Sequence, residues 1–310
     1  MLLAGRHIEK DLNQNMPDFA KAMSDKHKPV LLHKSIEALN LQNEKTFLDG
    51  TLGSGGHSEA VLQHFPQVRI VGLDQDSQAV ERIKKKLKIE TVVGNFRNLD
   101  QVLSKKNIVK VDAILFDLGI STDQLEQSGR GFTFLKDEPL DMRMSDAGVR
   151  ATEILNSWDE HAIGLVLYGF GEEKFSKQIA KAIVEKRKIK PFQTTFDLVE
   201  TVLTVKKRYR KDKIHPATKT FQALRIAVNE ELTSLEIGLE KGFQILGPNG
   251  RFAVISFHSL EDRIVKNFFR TKIKQKLAKQ ITKKPIIPNI EEIKDNPRSR
   301  SAKLRVIEKI

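Results

Sequence analysis

Apolar residues crowd into short uninterrupted runs at Thr46 to Gly50 ("TFLDG"), Val68 to Asp76 ("VRIVGLDQD"), Glu90 to Phe96 ("ETVVGNF") and Val111 to Ser121 ("VDAILFDLGIS"). Runs this short, with little polar alternation, predict strands covered on both faces. Between them the spacing changes to that of helices. Ser58 to Gln63 fits a helix. "SQAVERIKKKL" sets Ala79, Ile83 and Leu87 about one turn apart, and Leu99 to Leu103 predicts a third helix. Strands alternating with helices imply a parallel sheet with helices on both sides.

The alternation stops after Ser121. Residues up to about 140 mix Gly, Asp and Phe with polar positions, which predicts an ordered loop. From about 151 to 212 the spacing is helical, in "ATEILNSW", "EEKFSKQIAKAIVEKR" and "FDLVETVL". "HPATKTFQALRIAVNEELTSLEIGLEKGFQIL" then gives one or two long helices, with Pro216 where a first turn tolerates it. "PNGRFAVISFHS" brings a turn and a further strand, Arg251 to Ser256. The expected fold is therefore a doubly wound α/β core interrupted by a helical insertion. Its parts are a polar N-terminal extension (1–26), a discontinuous core (27–122 and 225–310) and a mostly helical inserted domain for substrate recognition (123–224).

Composition narrows the class. With 310 residues, 39% of them hydrophobic, the chain can bury a sizeable core. It has no Cys, which excludes disulfides, thiolate nucleophiles and Cys-ligated zinc, and no metal site is expected. No apolar run reaches the roughly 18 residues of a membrane span. The N-terminus lacks the apolar segment of a signal peptide, so a cytoplasmic protein is expected. The formal charge is +13 and uneven: Arg263 to Ile310 holds 15 Lys and Arg against 4 Asp and Glu, and "KKRYRKDK" forms a second knot at 206–213. Such excess favours a polyanionic partner, nucleic acid first, because phosphate neutralisation releases counterions.

Chemistry concentrates where strands end. In an open parallel sheet, ligands collect at the carboxyl ends of the strands. Three features fall there: the loop Gly53-Ser54-Gly55-Gly56-His57, then Asp74, then Asp117. Glycines let a ligand approach the backbone, and the following helix offers unpaired N–H groups to a carboxylate or phosphate. Asp74 lies about 20 residues on, the spacing of an acid that reaches ribose hydroxyls. A dinucleotide or S-adenosylmethionine fits this pattern. The dinucleotide fingerprint wants glycine at 58, where this chain has Ser58. That favours the adenosyl cofactor. Phe96 is placed to cover an adenine face, and Asp117 to accept a hydrogen bond from an amine.

The chain resembles the bacterial ribosomal RNA small-subunit methyltransferase H family, also called MraW. The resemblance is carried by "HKPVLLHKSIEALN", "FLDGTLGSGGHS", "GLDQD", "FDLGIS", "RGFTFLKDEPLDMRM", "FGEEKFSKQIAKAIV", "HPATKTFQALRIAVNEEL", "VISFHSLEDRIVK" and "NPRSRSAKLR", in order from about 27 to 305. It implies a class I methyltransferase (Rossmann-like) fold. It also implies S-adenosyl-L-methionine-dependent N4-methylation of a cytidine in the decoding region of 16S small-subunit ribosomal RNA, within the 30S subunit. A homodimer stays open. The family's cofactor contacts fall on Gly55, Gly56, His57, Asp74, Phe96, Asp117 and Gln124, all of the expected type. Thr122 and Glu138 depart from the usual pattern, outside the cofactor positions.

Many amino methyltransferases hold the target base with an Asp/Asn-Pro-Pro-aromatic tetrad. This chain has Asp117-Leu118-Gly119-Ile120, without the prolines or the ring. Asp117 remains the candidate catalytic acceptor. Phe132, Phe134 and His258 are candidates to hold the base, and Arg130, Arg143, Arg298, Arg300, Lys303 and Arg305 to grip phosphates. The missing tetrad argues against a DNA methyltransferase. The intact Gly–Asp74–Asp117 set argues against a nonenzymatic RNA-binding module, and Ser58 against a dehydrogenase.

Overall fold

The computed structural model describes residues 28–126, 128–207 and 214–310. The N-terminal extension and residues 208–213 of the basic knot lie outside the described residues. The sheet has seven strands: β1 (Thr46–Asp49), β2 (Arg69–Asp74), β3 (Glu90–Val93), β4 (Val111–Asp117), β5 (Leu246–Ser256), β6 (Ala278–Gln280) and β7 (Lys303–Lys309), in the order β3-β2-β1-β4-β5-β7-β6. The first five run parallel, while β7 pairs antiparallel with β5 and with β6. The mixed sheet and its order are those of a doubly wound α/β fold.

Successive residues of the buried runs serve opposite faces. Phe47, Ile70, Ala113 and Leu115 pack on one side with α1 (Leu32–Leu39) and α2 (Gly56–His64). Leu48, Val71, Leu73, Ile114 and Phe116 pack on the other, with α4 (Leu99–Ser104). Between those two helices, α3 (Ser77–Lys86) links β2 to β3 and is capped by Asp76, whose side chain accepts from the N–H groups of Gln78 and Ala79.

The interruption after β4 contains a short helix, α5 (Thr122–Glu126), then α6 (Ala151–Ser157), α7 (Glu160–Gly171), α8 (Ser176–Arg187), α9 (Thr195–Val205) and α10 (Thr218–Asn229). The last five share a separate apolar cluster that includes Ile154, Leu167, Ile179, Leu198 and Leu224. The long apolar stretch after Pro216 is two helices. Glu230 breaks it in the left-handed conformation (φ 47°), and α11 (Glu231–Ile245) turns back onto the sheet through Leu235, Leu239 and Phe243.

One expectation changes. β3 ends at Val93, so Phe96 does not close a strand. It opens a 3-10 turn (Phe96–Asn98), because the Asn95 side chain accepts the Arg97 N–H and caps it. The basic C-terminal region, whose charge excess favours a polyanionic partner, is also built into the fold. After α12 (Ser259–Lys274) and α13 (Ile290–Asp295), β7 buries Leu304, Val306 and Ile307 in the sheet while Lys303, Arg305 and Lys309 stay partly exposed. No described helix is long and apolar enough to cross a membrane.

Candidate active site

The carboxyl ends of β1, β2, β4 and β5 open onto one cleft of about 1180 Å³. Three aspartates end three of these strands: Asp49 is buried, while Asp74 and Asp117 are half-buried at the cleft surface. Asp74 Oδ2 accepts the Gly53 N–H at 2.7 Å, and its Oδ1 accepts the Asp76 N–H at 2.9 Å. Burial raises its pKa, while these backbone donors pull it back down. Asp74 therefore holds the glycine loop in shape and still has lone pairs to offer.

The loop's glycines are fixed by geometry. Gly53 and Gly55 have φ of 49° and 74°, in the left-handed region. A Cβ at Gly56 would lie 2.3 Å from Pro29 Cγ. Ser58, where the dinucleotide fingerprint wants glycine, has a use of its own: its hydroxyl donates to Asp49 Oδ2 at 2.7 Å. Burial pushes Asp49 up to about 6, despite that bond and one from the Thr51 N–H. Asp49 was not among the sequence candidates. Its signal was the shared pattern of an acid ending an apolar strand, which Asp74 and Asp117 also show.

Asp117 lies at the centre. Its N–H donates to Thr51 Oγ1 at 2.6 Å. Its Oδ1 is buried and accepts no hydrogen bond among the described residues, while Oδ2 is 3.7 Å from His57 Nδ1. Burial, with repulsion from Asp49 and then Glu261, holds its carboxyl well above the ordinary range. The His57 ring donates from Nε2 to the Val30 carbonyl at 3.2 Å, which leaves Nδ1 turned to Asp117.

Phe96 forms the cleft wall on the β2–β3 side. It stacks on Phe116 (4.7 Å between centroids), which meets Phe252 edge-on at 5.0 Å. Gln124 is buried on α5, where its Oε1 accepts the Ser121 N–H while the Ser121 hydroxyl accepts the Gln124 N–H. Arg298 donates to Thr122 and to Glu126, strapping the turn Pro297–Ser301 across α5 at the mouth of the cleft.

Glu261 is buried under the cleft floor. Burial alone would push its carboxyl up, but His258, the Phe257 N–H and Arg225 bring it below the usual range. Arg225 also grips both oxygens of Glu231, at 2.8 and 2.9 Å. Glu231, His258 and Glu261 lie close enough together to hold a cation, within 4.8 Å, yet Arg225 already neutralises Glu231. None of Arg225, Glu231 and Glu261 was a sequence candidate, because only the fold brings α10, α11 and α12 together.

The structure gathers Gly55's loop neighbours Gly56 and His57 with Asp74, Phe96, Asp117, Gln124, Arg298 and Arg300 around this cleft. Gly55 itself turns the loop, with its α-carbon facing Ile83. Other candidates lie elsewhere. Phe132 is buried in the helical cluster, and Phe134 stacks on His215 at 4.7 Å. His258 caps α12, accepting the Glu261 N–H, and borders a smaller hollow behind the cleft. Arg130 pairs with Asp146 and Arg143 with Asp141, which fastens the loop after α5 to itself. Lys303 and Arg305 both pair with Asp262. Arg300 alone of the C-terminal candidates is exposed with no acidic partner among the described residues. Phe257, not a sequence candidate, lines the cleft beyond Asp117.

The model of the MraW methylase family matches residues 24–310. A curated relative named "Ribosomal RNA small subunit methyltransferase H", from Carboxydothermus hydrogenoformans, is 44% identical over 310 residues, covering 93% of this chain and 99% of its own. Relatives with the same name from Heliobacterium mobile and Coprothermobacter proteolyticus are 46% and 45% identical. They cover 92% and 91% of this chain, and 99% and 96% of their own.

Proposed function

Because the chain belongs to the MraW methylase family, we propose that it carries a methyl group from S-adenosyl-L-methionine to N4 of a cytidine in the decoding region of 16S ribosomal RNA. The 30S subunit in the cytoplasm is the substrate, and the block 123–224 is its recognition face. The relatives' names support ribosomal RNA as the substrate class.

The residues present fit the cofactor. Gly56 and His57 open α2, so its N-terminal N–H groups face the cleft and suit the amino acid carboxylate. Asp74 keeps free lone pairs for ribose hydroxyls, and the Phe96 ring suits the adenine. Asp49, Asp74 and Asp117 together favour a positive group in the cleft. The bound cofactor supplies a sulfonium methyl that is already electrophilic.

The protein's remaining task is to make a poor nucleophile better and hold it in line. The cytosine N4 lone pair is delocalised into the ring. An acceptor on its N–H localises that pair and then takes the proton. Asp117 Oδ1 suits this role, as a buried acceptor without a donor among the described residues. That unsatisfied oxygen is the observation that carries the reading, since a buried polar atom left idle costs about 1–3 kcal/mol.

The test incubates the protein with labelled cofactor and small subunits lacking the modification, and maps the labelled atom. Label on N4 of a decoding-region cytidine is expected. Label on a ring carbon, or no label, sinks the proposal. Asp117→Asn should lower turnover roughly 10²- to 10⁴-fold while cofactor affinity changes less than tenfold. In the parent protein, activity should fall on acidification at a higher pH than an ordinary carboxylate would impose, because Asp117 must be unprotonated to accept.

A further inference from the structure

If the target base is to reach Asp117, something must hold its face, and the tetrad that commonly does so is missing. Among the described residues lining the cleft, two phenyl rings are available, Phe96 and Phe257. Phe96 is taken up on the cofactor side. One face stacks on Phe116, and a Cβ added at Gly238 behind it would come within 2.4 Å of its ring. It also lies on the β2–β3 side, next to Asn95 and Asp74, where the adenosyl group fits.

Phe257 stands on the opposite side of Asp117. It follows the last residue of β5, and β5 pairs with β4 so that Ile255 lies opposite Asp117. The Leu118 N–H donates to the Ile255 carbonyl at 3.0 Å, which carries the pairing one step past the strand ends. Phe257 is therefore level with Gly119, and the Phe257 Cδ2 is the nearest atom to a Cβ built on Gly119, at 3.7 Å. Gly119 has φ of 98°, a backbone that side chains rarely adopt. No side chain from that position covers the ring.

The backbone that carries the ring is also held in place. The Phe257 N–H donates to Glu261 Oε2 at 2.8 Å, and Glu261 is buried and braced by His258. The Phe257 side chain packs partly on the sheet's apolar cluster and borders both the cleft and the smaller hollow beside it. The site thus has a ring on a braced backbone on one side of an unsatisfied acceptor and a cofactor-sized pocket on the other.

We propose that Phe257 is the base-stacking residue: the target pyrimidine, taken out of its own stack, lies on the Phe257 ring with its exocyclic amine toward Asp117. The neighbouring strand then supplies the aromatic surface that the sequence after Asp117 lacks. This rests on the methyltransferase reading above and adds the residue that selects a flat, unstacked base. Stacking on an aromatic side chain is sequence-tolerant, so Phe257 supplies affinity and orientation. Recognition of the amine falls to Asp117.

The experiment compares Phe257→Leu and Phe257→Tyr with the parent chain, using small subunits lacking the modification and labelled cofactor. Leucine keeps apolar bulk and loses the flat face. The expected result is kcat/KM for subunits lowered roughly 5- to 150-fold in Phe257→Leu. Cofactor affinity by calorimetry and the melting temperature should stay near those of the parent, and Phe257→Tyr should stay within threefold of the parent. Unchanged kcat/KM in Phe257→Leu overturns the proposal. So does a parallel loss of cofactor affinity or of stability, or a Tyr variant as poor as the Leu variant. If the parent chain labels an atom other than a base amine, the methyltransferase reading fails instead. Quenching of a fluorescent cytosine analogue at the labelled position, present in the parent and lost in Phe257→Leu, then tests the stacking by itself.

Discussion

Gly238→Ala sets two well-known effects against each other at one atom. In an exposed helix interior, replacing Gly with Ala stabilises by about 1 kcal/mol. Gly238 is buried in α11, and the added methyl would lie 2.4 Å from Phe96 Cδ2, 3.0 Å from Cε2 and 3.4 Å from Phe116 Cε2. The Phe96 ring cannot yield toward the sheet. It is stacked on Phe116, which is fully buried and held edge-on against Phe252. Overpacking of this kind costs about 1–3 kcal/mol, so it outweighs the helix gain. The net expectation is a loss of about 1 kcal/mol and a fall in melting temperature of roughly 2 °C. The ring's only escape is into the cleft, where it would foul the cofactor's adenine. Cofactor affinity should weaken roughly 3- to 10-fold, the worth of one aromatic contact. Denaturant unfolding and calorimetry with S-adenosyl-L-methionine measure both effects. Gly169→Ala is the control, since Gly169 is exposed on α7 and no atom of the described residues lies within 4 Å of the added methyl. It should stabilise by up to about 1 kcal/mol and leave cofactor affinity unchanged. A Gly238→Ala protein that is as stable as the parent and binds cofactor equally well would refute the argument.

Asp49 gives a pH-dependent prediction. Its folded-state pKa of about 6 lies above the ordinary 3.8, so its charging penalty grows as pH rises from about 4 to 6 and is complete above that. Asp49→Asn does not titrate, so its stability relative to the parent should improve by about 1 kcal/mol between pH 5 and pH 7. A stability difference that does not vary with pH would count against it. Arg300 and Arg305 should behave oppositely. Arg300→Ala should weaken RNA binding and reduce its logarithmic salt slope by about 1, with the melting temperature unchanged. Arg305→Ala should lower the melting temperature by stripping Asp262 of its closest donor, and leave the salt slope alone. The reverse pattern would show that the ion pairs do not decide which charges face RNA.

The sequence by itself determined the elements and the corner. Buried strands show as apolar runs because both faces of a parallel sheet are covered, and the glycine loop shows because a left-handed backbone needs glycine. Asp74 and Asp117 stand out as acids ending such runs. What it could not convey was which charges are spent. Lys303, Arg305, Arg130 and Arg143 read as phosphate grips alongside Arg300. Only the fold shows Asp262, Asp146 and Asp141 already beside the first four. Phe132 and Phe134 gave the same aromatic signal as Phe257. Packing of the helical block buries Phe132 and stacks Phe134 on His215, while pairing of β5 with β4 sets Phe257 beside Asp117. Periodicity is a local property and survives in the sequence. Partnership between particular side chains is decided by the tertiary fold, as when the order of strands in the sheet sets Phe257 beside Asp117.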